Sequence, residues 1–288
     1  MIRQLANLWA WITALLVVGL GAFWVFVVFL VTAPFDRARY LTGRAFRTLG
    51  VIHVKLNPLW KFGTVGYTIA NKRHPYVVVS NHESYADIFL IAHVPMEMKW
   101  LAKAELLRIP VFGWLMRMAG DVPVHRGRPT SRREALEGCR DRLAKGVSVM
   151  IFPEGTRSAD GAMLPFRDGA FQLALETGTP ILPLAVAGTA SGMAKGTFRF
   201  QPTRALCEVM EPVPTSHLSM DDMPELKRHV REMIAASRAR LRRELGLRPA
   251  PDEASSIGGE PGLAAVAGTM KVRDDVGTRH AGQPTSGG

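Results

Sequence analysis

The stretch VVVSNHESYADIFLI, from Val77 to Ile91, predicts a buried strand that delivers a histidine and an aspartate to the start of a helix. Its apolar run ends at Ser80, and His82 and Asp87 follow where a chain would ordinarily only turn. In one continuous helix these two residues would lie about 140° apart around the axis and could not meet. They can meet if His82 precedes the helix and Asp87 lies in its first turns, and we expect that arrangement.

A paired histidine and aspartate indicate acid–base chemistry. A carboxylate that holds one ring nitrogen fixes the tautomer of the imidazole and leaves the other nitrogen to act as a base. Ser84 lies close by, but nothing else in the sequence supports it as a nucleophile, so deprotonation of a substrate hydroxyl is the expected chemistry. The pair alone has a plainer alternative, because a His and an Asp at this spacing also serve for capping or packing.

The charge of the chain narrows the classes of ligand. Lys and Arg number 36 against 25 Asp and Glu, a formal net charge of +11, which favours nucleic acid, anionic lipid or a phosphorylated substrate. The basic residues are spread over loops and one helix, without zinc-finger spacing or a basic strand interleaved with aromatics, so we expect no nucleic acid. The two cysteines, Cys139 and Cys207, lack metal-ligand spacing and are interpreted as reduced thiols.

Residues 1–35 are interpreted as a membrane anchor. No charged residue and no histidine occurs from Gln4 to Phe35, which is more than the roughly 20 apolar residues that one span requires. The run is too long for a signal peptide, and Pro34 spoils its cleavage-like VTA. Arginines at 37, 39, 44 and 47 place the following side in the cytoplasm. With Gly19 and Gly21 near the middle, a tilted span and a shallow helical hairpin remain open, and the span is favoured.

Residues 36–247 read as an α/β domain with a mostly buried central sheet flanked by helices. The short apolar runs PYVVVS, VSVMIFP and ILPLAVAG predict strands. Helical segments are expected at 132–145 and 170–176, and a closing helix at 224–245. That last helix has an apolar stripe surrounded by arginines, which either are solvated or contact anionic headgroups. Residues 248–288 contain eight Gly and four Pro but no Phe, Trp or Tyr, so a disordered tail is expected.

A second polar stretch, VMIFPEGTRSADG, lies at Val149 to Gly161. Gly155 lets the backbone approach a ligand closely, and Arg157 offers a planar fork suited to phosphate, which Glu154 can orient. The plainer alternative is a surface turn with a salt bridge. Between the two stretches, GDVPVHRGRP brings Arg126 and Arg128 out of another short strand, where they can bind phosphate or be solvated.

Together these segments resemble the glycerolipid acyltransferase family, particularly the 1-acyl-sn-glycerol-3-phosphate acyltransferases. That family carries an N-H-x-x-x-x-D block, a G-x-x-x-x-x-R block, an F-P-E-G-T-R-S block and a later apolar strand that contains proline. The matches, in the same order, are Asn81-His82 with Asp87, Gly120 with Arg126, Phe152 to Ser158 unbroken, and Thr179 to Val186. The resemblance spans about Tyr76 to Val186 and continues to Leu247. Departures occur at Asp121 and Pro123 and at Arg167 and Asp168, and these bear on the acceptor.

The resemblance implies a set of roles. His82 would be the general base for the glycerol hydroxyl of a lysophosphatidate, and Asp87 would orient it. The acceptor's phosphate and glycerol would be held by Arg126, Glu154, Gly155, Thr156 and Arg157. The strand at Pro180 to Leu184 would help to shape the acyl or donor site.

The reaction implied is transfer of an acyl chain to the free sn-2 hydroxyl, which makes phosphatidic acid. The donor would be acyl-CoA or acyl carrier protein as co-substrate, with no cofactor and no metal. The domain would sit on the cytoplasmic side of the inner membrane, against an anionic surface. The alternatives are an acyltransferase for another lysolipid, such as a lyso-ornithine lipid, and a non-catalytic protein that binds anionic lipid.

Overall fold

The structure, a computed structural model, describes residues 2–125, 129–158, 161–193 and 199–254. Its α-helices are α1 (Ile2–Thr32), α2 (Tyr40–Leu56), α3 (Ala86–Ile91), α4 (Phe112–Ala119), α5 (Pro129–Ala144), α6 (Gly169–Thr177), α7 (Met223–Glu244) and α8 (Pro251–Ala254). Its strands are β1 (Trp60–Gly66), β2 (Val77–Ser80), β3 (Met98–Lys103), β4 (Val122–Val124), β5 (Ser148–Ile151), β6 (Ile181–Ala187) and β7 (Thr203–Val209). Short 3-10 turns occur at Ala104–Arg108, Thr189–Ser191 and Met220–Asp222.

The strands form one seven-stranded sheet in the order β1-β7-β6-β2-β5-β3-β4. β2 lies near the centre, parallel to β5 on one side and to β6 on the other. β7 runs antiparallel to β6, and β1 pairs with β7 in parallel. The predicted α/β class is confirmed, with a mixed sheet and helices on both faces.

Alternation along β2 explains why the sheet is covered on both sides. Val77 and Val79 belong to a core packed against α5, α6 and α7, whereas Val78 belongs to a second core with Leu90 and Ile91 of α3. Successive side chains of a strand point to opposite faces, so a continuous apolar run is what a doubly covered strand requires. The three predicted strands correspond to β2, β5 and β6, and the predicted helices to α5, α6 and α7.

The N-terminal apolar run forms one unbroken helix, α1, which continues through Gly19 and Gly21. The helical hairpin is therefore not found in residues 2–32, and the tilted span stays a prediction. Within the described residues, one segment, Arg3–Thr32, is long and apolar enough to cross a membrane on length and composition. α1 packs on α2, and a Cβ placed on Gly21 would lie 2.5 Å from a methyl carbon of Leu49. Gly21 thus permits the close approach of the two helices.

Three of the four arginines that follow α1 are engaged within the protein. Arg47 forms a buried ion pair with Asp121, and Arg44 donates to the carbonyl of Met96 at 2.9 Å. The guanidinium of Arg39 lies 4.6 Å from the centre of the Phe29 ring. These contacts explain much of the basic cluster without lipid, so the cluster is a weaker indicator of membrane orientation than the sequence suggested.

The C-terminal part contradicts one expectation. Residues 248–254 were assigned to a disordered tail, but Ala250 is buried and Pro251–Ala254 forms α8. The reason is that the acidic Asp252 and Glu253 find cationic partners on α7. The remainder of the predicted tail, 255–288, lies outside the described residues.

Candidate active site

The carboxyl ends of β2 and β5 bring two polar loops together. The strands are parallel neighbours with Val79 opposite Ile151, and loops that follow such strands meet at one edge of the sheet. The first loop carries His82, and the second carries Phe152 and Glu154. The His82 imidazole stacks on the Phe152 ring, with 4.0 Å between centroids and 19° between planes. The two polar stretches of the sequence therefore build one site.

His82 and Asp87 are in direct contact, as the sequence predicted. Nδ1 of His82 lies 2.7 Å from Oδ2 of Asp87, because His82 precedes α3 and Asp87 lies in its first turn. The same oxygen accepts the N–H groups of Glu83 at 2.8 Å and Ser84 at 3.0 Å, and the Thr189 hydroxyl donates to the other oxygen. The Asp87 side chain is fully buried. With Nδ1–H donated to this carboxylate, Nε2 is the nitrogen that can accept a proton.

Glu154 joins the two loops. Its Oε1 accepts the N–H of His82 and its Oε2 accepts the N–H of Leu164, both at 2.8 Å. Burial raises the pKa of Glu154, and these two N–H donors oppose the increase. Predicted to bind substrate, Glu154 has both oxygens occupied by backbone, so its visible contribution is to hold the backbone of His82 in place.

Asn81 fastens the same loop to the sheet. Its amide Nδ2 donates to the carbonyl of Val186 at 2.9 Å, and its Oδ1 accepts the N–H of Val186 at 2.8 Å. The side chain therefore pairs with β6 as a strand would. This pairing gives the asparagine of the N-H-x-x-x-x-D block a structural reason.

Glu83, directly after His82, connects the loop to α7. Its Oε2 accepts the N–H of Gly188 at 3.1 Å, and its Oε1 lies 3.0 Å from Nε of Arg238 and 3.6 Å from Nη1 of Arg242. Burial raises the pKa of Glu83, and the charge of Arg238 opposes that increase. A buried carboxylate of this kind depends on its cationic partner, because an unpaired charge there is costly.

A cavity of about 240 Å³ opens beside these groups. His82 lines it together with Glu83 and Glu154, and Arg157, Arg238 and Arg242 contribute cationic side chains to its wall. The guanidinium of Arg157 also lies 4.0 Å from the centre of the Tyr85 ring, a cation–π contact that holds it near the His82 loop. A base beside clustered guanidinium groups suits a hydroxyl substrate that carries an anion.

The remaining predicted binding residues have mixed outcomes. Gly155 has a φ of +71°, a left-handed conformation that favours glycine, and a Cβ there would lie 2.9 Å from the Arg167 guanidinium. Thr156 is exposed and is absent from the cavity wall. Arg126 lies outside the described residues, so its predicted role is neither supported nor opposed.

The strand β6, which contains Pro183, does not line the described cavity. None of the residues that line the described cavity belongs to β6, whose seven residues are all buried in the sheet. The implied contribution of Pro180 to Leu184 to an acyl or donor site is not seen at this cavity. β6 instead supports the site through Val186 and Asn81.

Ser84 and Asp121 are also accounted for by local contacts. The Ser84 hydroxyl donates to the Met193 carbonyl at 3.1 Å and accepts the N–H of Ala86 at 3.2 Å. Asp121 accepts the N–H of Trp100 at 3.0 Å in addition to its pair with Arg47. The departure from the family pattern at Asp121 thus serves to join α2 to β3.

The two α7 arginines in the cavity wall were not predicted from the sequence. A signal was present: Arg238 lies four residues after Ile234 and three before Leu241, within the helical stripe. Ile234 and Leu241 are core residues, and Arg238 is 2% exposed. A charge at an apolar position of a helix indicates a buried partner.

Among the described residues, no cluster of three or more His, Cys, Asp and Glu could hold a metal ion.

Comparisons with known proteins identify the chain as an acyltransferase. Residues 63–187 match the family model described as Acyltransferase. The crystal structure of the 1-acyl-sn-glycerophosphate (LPA) acyltransferase PlsC from Thermotoga maritima superposes with a TM-score of 0.70 at 28% identity, covering 86% of this chain and 98% of that one.

Relatives found by sequence specify the family within the acyltransferases. A 1-acyl-sn-glycerol-3-phosphate acyltransferase of Cocos nucifera is 34% identical over 218 residues, 73% of this chain and 67% of the relative. The chloroplastic enzyme of that name, BAT2, from Brassica napus is 36% identical over 187 residues, 63% of this chain. The chain belongs to the 1-acyl-sn-glycerol-3-phosphate acyltransferase family. It spans about half the length of several curated relatives, 54% in the case of the Brassica napus protein.

Proposed function

We propose that this chain transfers an acyl group from acyl-CoA or acyl carrier protein to the sn-2 hydroxyl of 1-acyl-glycerol-3-phosphate and so makes phosphatidic acid. The observation that carries the proposal is the His82–Asp87 contact of 2.7 Å at a cavity with three arginines in its wall. The names of the relatives agree with it, since they specify the same acceptor.

In this mechanism Nε2 of His82 removes the proton of the sn-2 hydroxyl while Asp87 stabilises the resulting imidazolium. The oxygen attacks the thioester carbonyl carbon, the new C–O bond forms, the C–S bond breaks, and the thiolate leaves with a proton returned from the imidazolium. Because a thiolate is a good leaving group, the transfer is direct and requires neither an acyl-enzyme nor a metal. General-base catalysis contributes about 10²–10⁴-fold, and positioning supplies up to about 7–11 kcal/mol.

Recognition of the acceptor rests on its phosphate. Arg157 lies in the cavity wall, and a guanidinium can bind a phosphate through two parallel hydrogen bonds. Arg126 is assigned to the same phosphate from its place in the family block. Gly155 and Thr156 would contribute through the backbone of the loop, and Glu154 through its hold on His82.

The membrane supplies the acceptor. α1 is assigned as an anchor in the inner membrane, with the sheet domain on the cytoplasmic side, where an acyl-CoA or acyl carrier protein donor is available. A lysophosphatidate keeps its chain in the bilayer and presents its phosphate at the surface, where the basic domain meets it. The proposal involves no nucleic acid.

The direct test is acyl transfer by the purified full chain in detergent. Radiolabelled oleoyl-CoA and oleoyl-acyl carrier protein are supplied separately with 1-oleoyl-lysophosphatidate. We expect phosphatidic acid with at least one donor, and the ratio of the two rates identifies the preferred one. No phosphatidic acid with either donor would overturn the proposal.

A panel of acceptors distinguishes the alternatives. Lyso-ornithine lipid, lysophosphatidylcholine and lysophosphatidylethanolamine are compared with lysophosphatidate at equal detergent mole fraction. Acylation of another lysolipid in preference to lysophosphatidate would move the substrate assignment but keep the His82 mechanism. Vesicle binding without turnover of any acceptor would instead identify a non-catalytic lipid-binding protein.

A further inference from the structure

Two α7 arginines form a cationic wall in the cavity that no family block explains. Arg238 and Arg242 are separated by one helical turn, so their side chains lie on the same face. Both line the cavity that contains His82. Their side chains are only 2% and 16% exposed. Buried guanidinium groups require anionic partners. An external anion can bind this wall only where it replaces one of those partners.

Carboxylates from two parts of the chain face this wall, and their distances to the arginines differ. Glu83 belongs to the His82 loop, and its Oε1 accepts a hydrogen bond from Nε of Arg238 at 3.0 Å. Asp252 and Glu253 belong to α8, and their oxygens lie 3.4 Å from Nη1 of Arg238. The other oxygen of Glu253 lies 3.5 Å from Nε of Arg242. Ion pairs at these longer distances are weaker than a charge-assisted hydrogen bond of about 2.7–2.9 Å.

The α8 segment is docked at the cavity edge. Ala250, just before it, is 2% exposed, and Oδ2 of Asp252 accepts the N–H of Met163 at 3.2 Å. Met163 itself lines the cavity. Oε2 of Glu253 accepts the N–H of Ala250 at 2.9 Å, which closes the short turn on itself. Two negative charges are thereby presented to the two arginines from within the chain.

We propose that Pro251–Ala254 is an internal anionic cap, and that the Arg238–Arg242 wall is an anion site which a phosphate-bearing substrate occupies by displacing Asp252 and Glu253. The proposal rests on the proposed function, since it assigns part of the binding of the acceptor's phosphate. Glu83 keeps its bond to Arg238 throughout, so the His82 loop stays in place when the cap leaves.

The exchange is favourable in charge and geometry. A phosphate monoester carries nearly two charges and three acceptor oxygens, and it can engage guanidinium groups through paired hydrogen bonds. The cap competes because it is tethered, and tethering gives it a high effective concentration. The apparent dissociation constant of the anion is therefore the intrinsic constant divided by the fraction of molecules in which the cap is undocked.

The test removes the charges of the cap and keeps its shape. The full-length Asp252→Asn/Glu253→Gln variant is compared with the parent by calorimetric titration of inorganic phosphate in detergent. We expect the Kd for phosphate to fall about three- to tenfold, with a similar fall in the KM for lysophosphatidate and a kcat within about twofold. The matched control is Glu225→Gln/Glu232→Gln, since those carboxylates pair with the exposed Arg228 and their loss should leave the Kd unchanged.

A second variant separates competition from a merely structural role. Arg242→Gln should raise the Kd for phosphate, and adding the cap substitutions to it should change the Kd by less than they change the parent, because the two sites interact. A Kd that is unchanged or raised in the cap variant at unaltered Tm would overturn the proposal. Equal effects of the cap substitutions with and without Arg242 would also overturn it.

The outcomes also separate this inference from the proposed function. Phosphate titration does not require turnover, so a lowered Kd in a protein that does not acylate lysophosphatidate supports the cap and refutes the acceptor assignment. Normal acylation with an unchanged Kd refutes the cap alone.

Discussion

Two histidines of this chain, His82 and His53, occupy opposite kinds of environment. His82 donates from Nδ1 to a buried carboxylate at 2.7 Å and lines a cavity. His53, on α2, is packed among Trp60, Phe89 and Phe200 with ring centroids 5.4–5.7 Å away. Among the described residues, neither of its ring nitrogens has a hydrogen-bond partner. Burial lowers the pKa of His53 to about 4, so this imidazole is neutral near pH 7.

The comparison shows what makes an imidazole a base rather than a packing group. Desolvation alone disfavours the imidazolium and so weakens the ring as a proton acceptor. A fixed carboxylate on one nitrogen stabilises the imidazolium and orients the other nitrogen. Both positions hold a histidine, and the carboxylate of Asp87 beside His82 accounts for the difference in their roles.

The largest effect is expected at His82 itself. His82→Ala should lower kcat by about 10²–10⁴-fold, because the proton acceptor is lost, and vesicle binding should stay as in the parent. Acyl transfer from a purified variant to lysophosphatidate measures the first quantity, and vesicle flotation the second. Activity equal to the parent would remove His82 from the mechanism.

The next effect is expected at Asp87. Asp87→Asn keeps the shape of the side chain but removes the charge that stabilises the imidazolium and presents an amide that can favour the wrong tautomer. A loss in kcat of about 10²–10³-fold is expected. Asn keeps one acceptor oxygen, so either the N–H groups of Glu83 and Ser84 or the Thr189 hydroxyl loses its acceptor, and the Tm is measured alongside the rate. A full-rate Asn variant would show that the pairing is structural.

A smaller effect, on stability, is expected at Arg238. Arg238→Gln leaves Glu83 buried without its closest cation, which should cost about 2–3 kcal/mol of unfolding free energy, less than the full penalty because Glu83 can take up a proton. Denaturant unfolding in detergent measures this change. Adding Glu83→Gln should recover part of the loss, since it removes the unpaired charge, and no recovery would mean that the pair does not set the stability of the loop.

The smallest effect is expected at His53. His53→Phe should leave acyl transfer unchanged and unfolding free energy within about 1 kcal/mol at pH 7. In acid the variant should become relatively more stable. Between pH 6.5 and 4 the unfolded parent binds a proton at His53 that the folded parent does not, so stability of the parent falls as the pH falls.

The lowered pKa of His53 corresponds to a relative stability difference of about 2 kcal/mol near pH 5, and Tm measured against pH for both proteins tests it. Parallel pH profiles of parent and variant would show that folding does not lower the pKa of His53. Loss of acyl transfer in the variant would show that His53, like His82, is needed for activity.

The sequence predicted the parts of this structure that depend on local pattern. The doubly buried run at Val77–Ser80 and its neighbours at β5 and β6 are readable because burial on both faces demands continuous apolar residues. The His82–Asp87 contact was predicted from the geometry of a helix start, since the two residues are only five positions apart. The strands β1, β3 and β7 were not identified, because their sequences mix polar and apolar residues.

Long-range partners were out of reach for a physical reason. Nothing near Glu154 in the sequence indicates that its oxygens would bind the N–H groups of His82 and Leu164, because that requires two loops to be brought together by the sheet. The ordered α8 was missed likewise, since a Gly- and Pro-rich composition suggests disorder, and the position of Arg238 in the apolar stripe indicates a buried partner without identifying it.

The Glu83–Arg238 bond joins residues 155 positions apart, and this separation has a consequence in time. A ribosome adding about 5–20 residues per second needs roughly 8–30 s to progress from one partner to the other. During that interval a nascent chain already carries α1 and the His82 loop but lacks the helix that holds the loop down. The enzyme can therefore become competent only after Arg238 has been added, long after synthesis of α1, the helix that is apolar enough to cross a membrane.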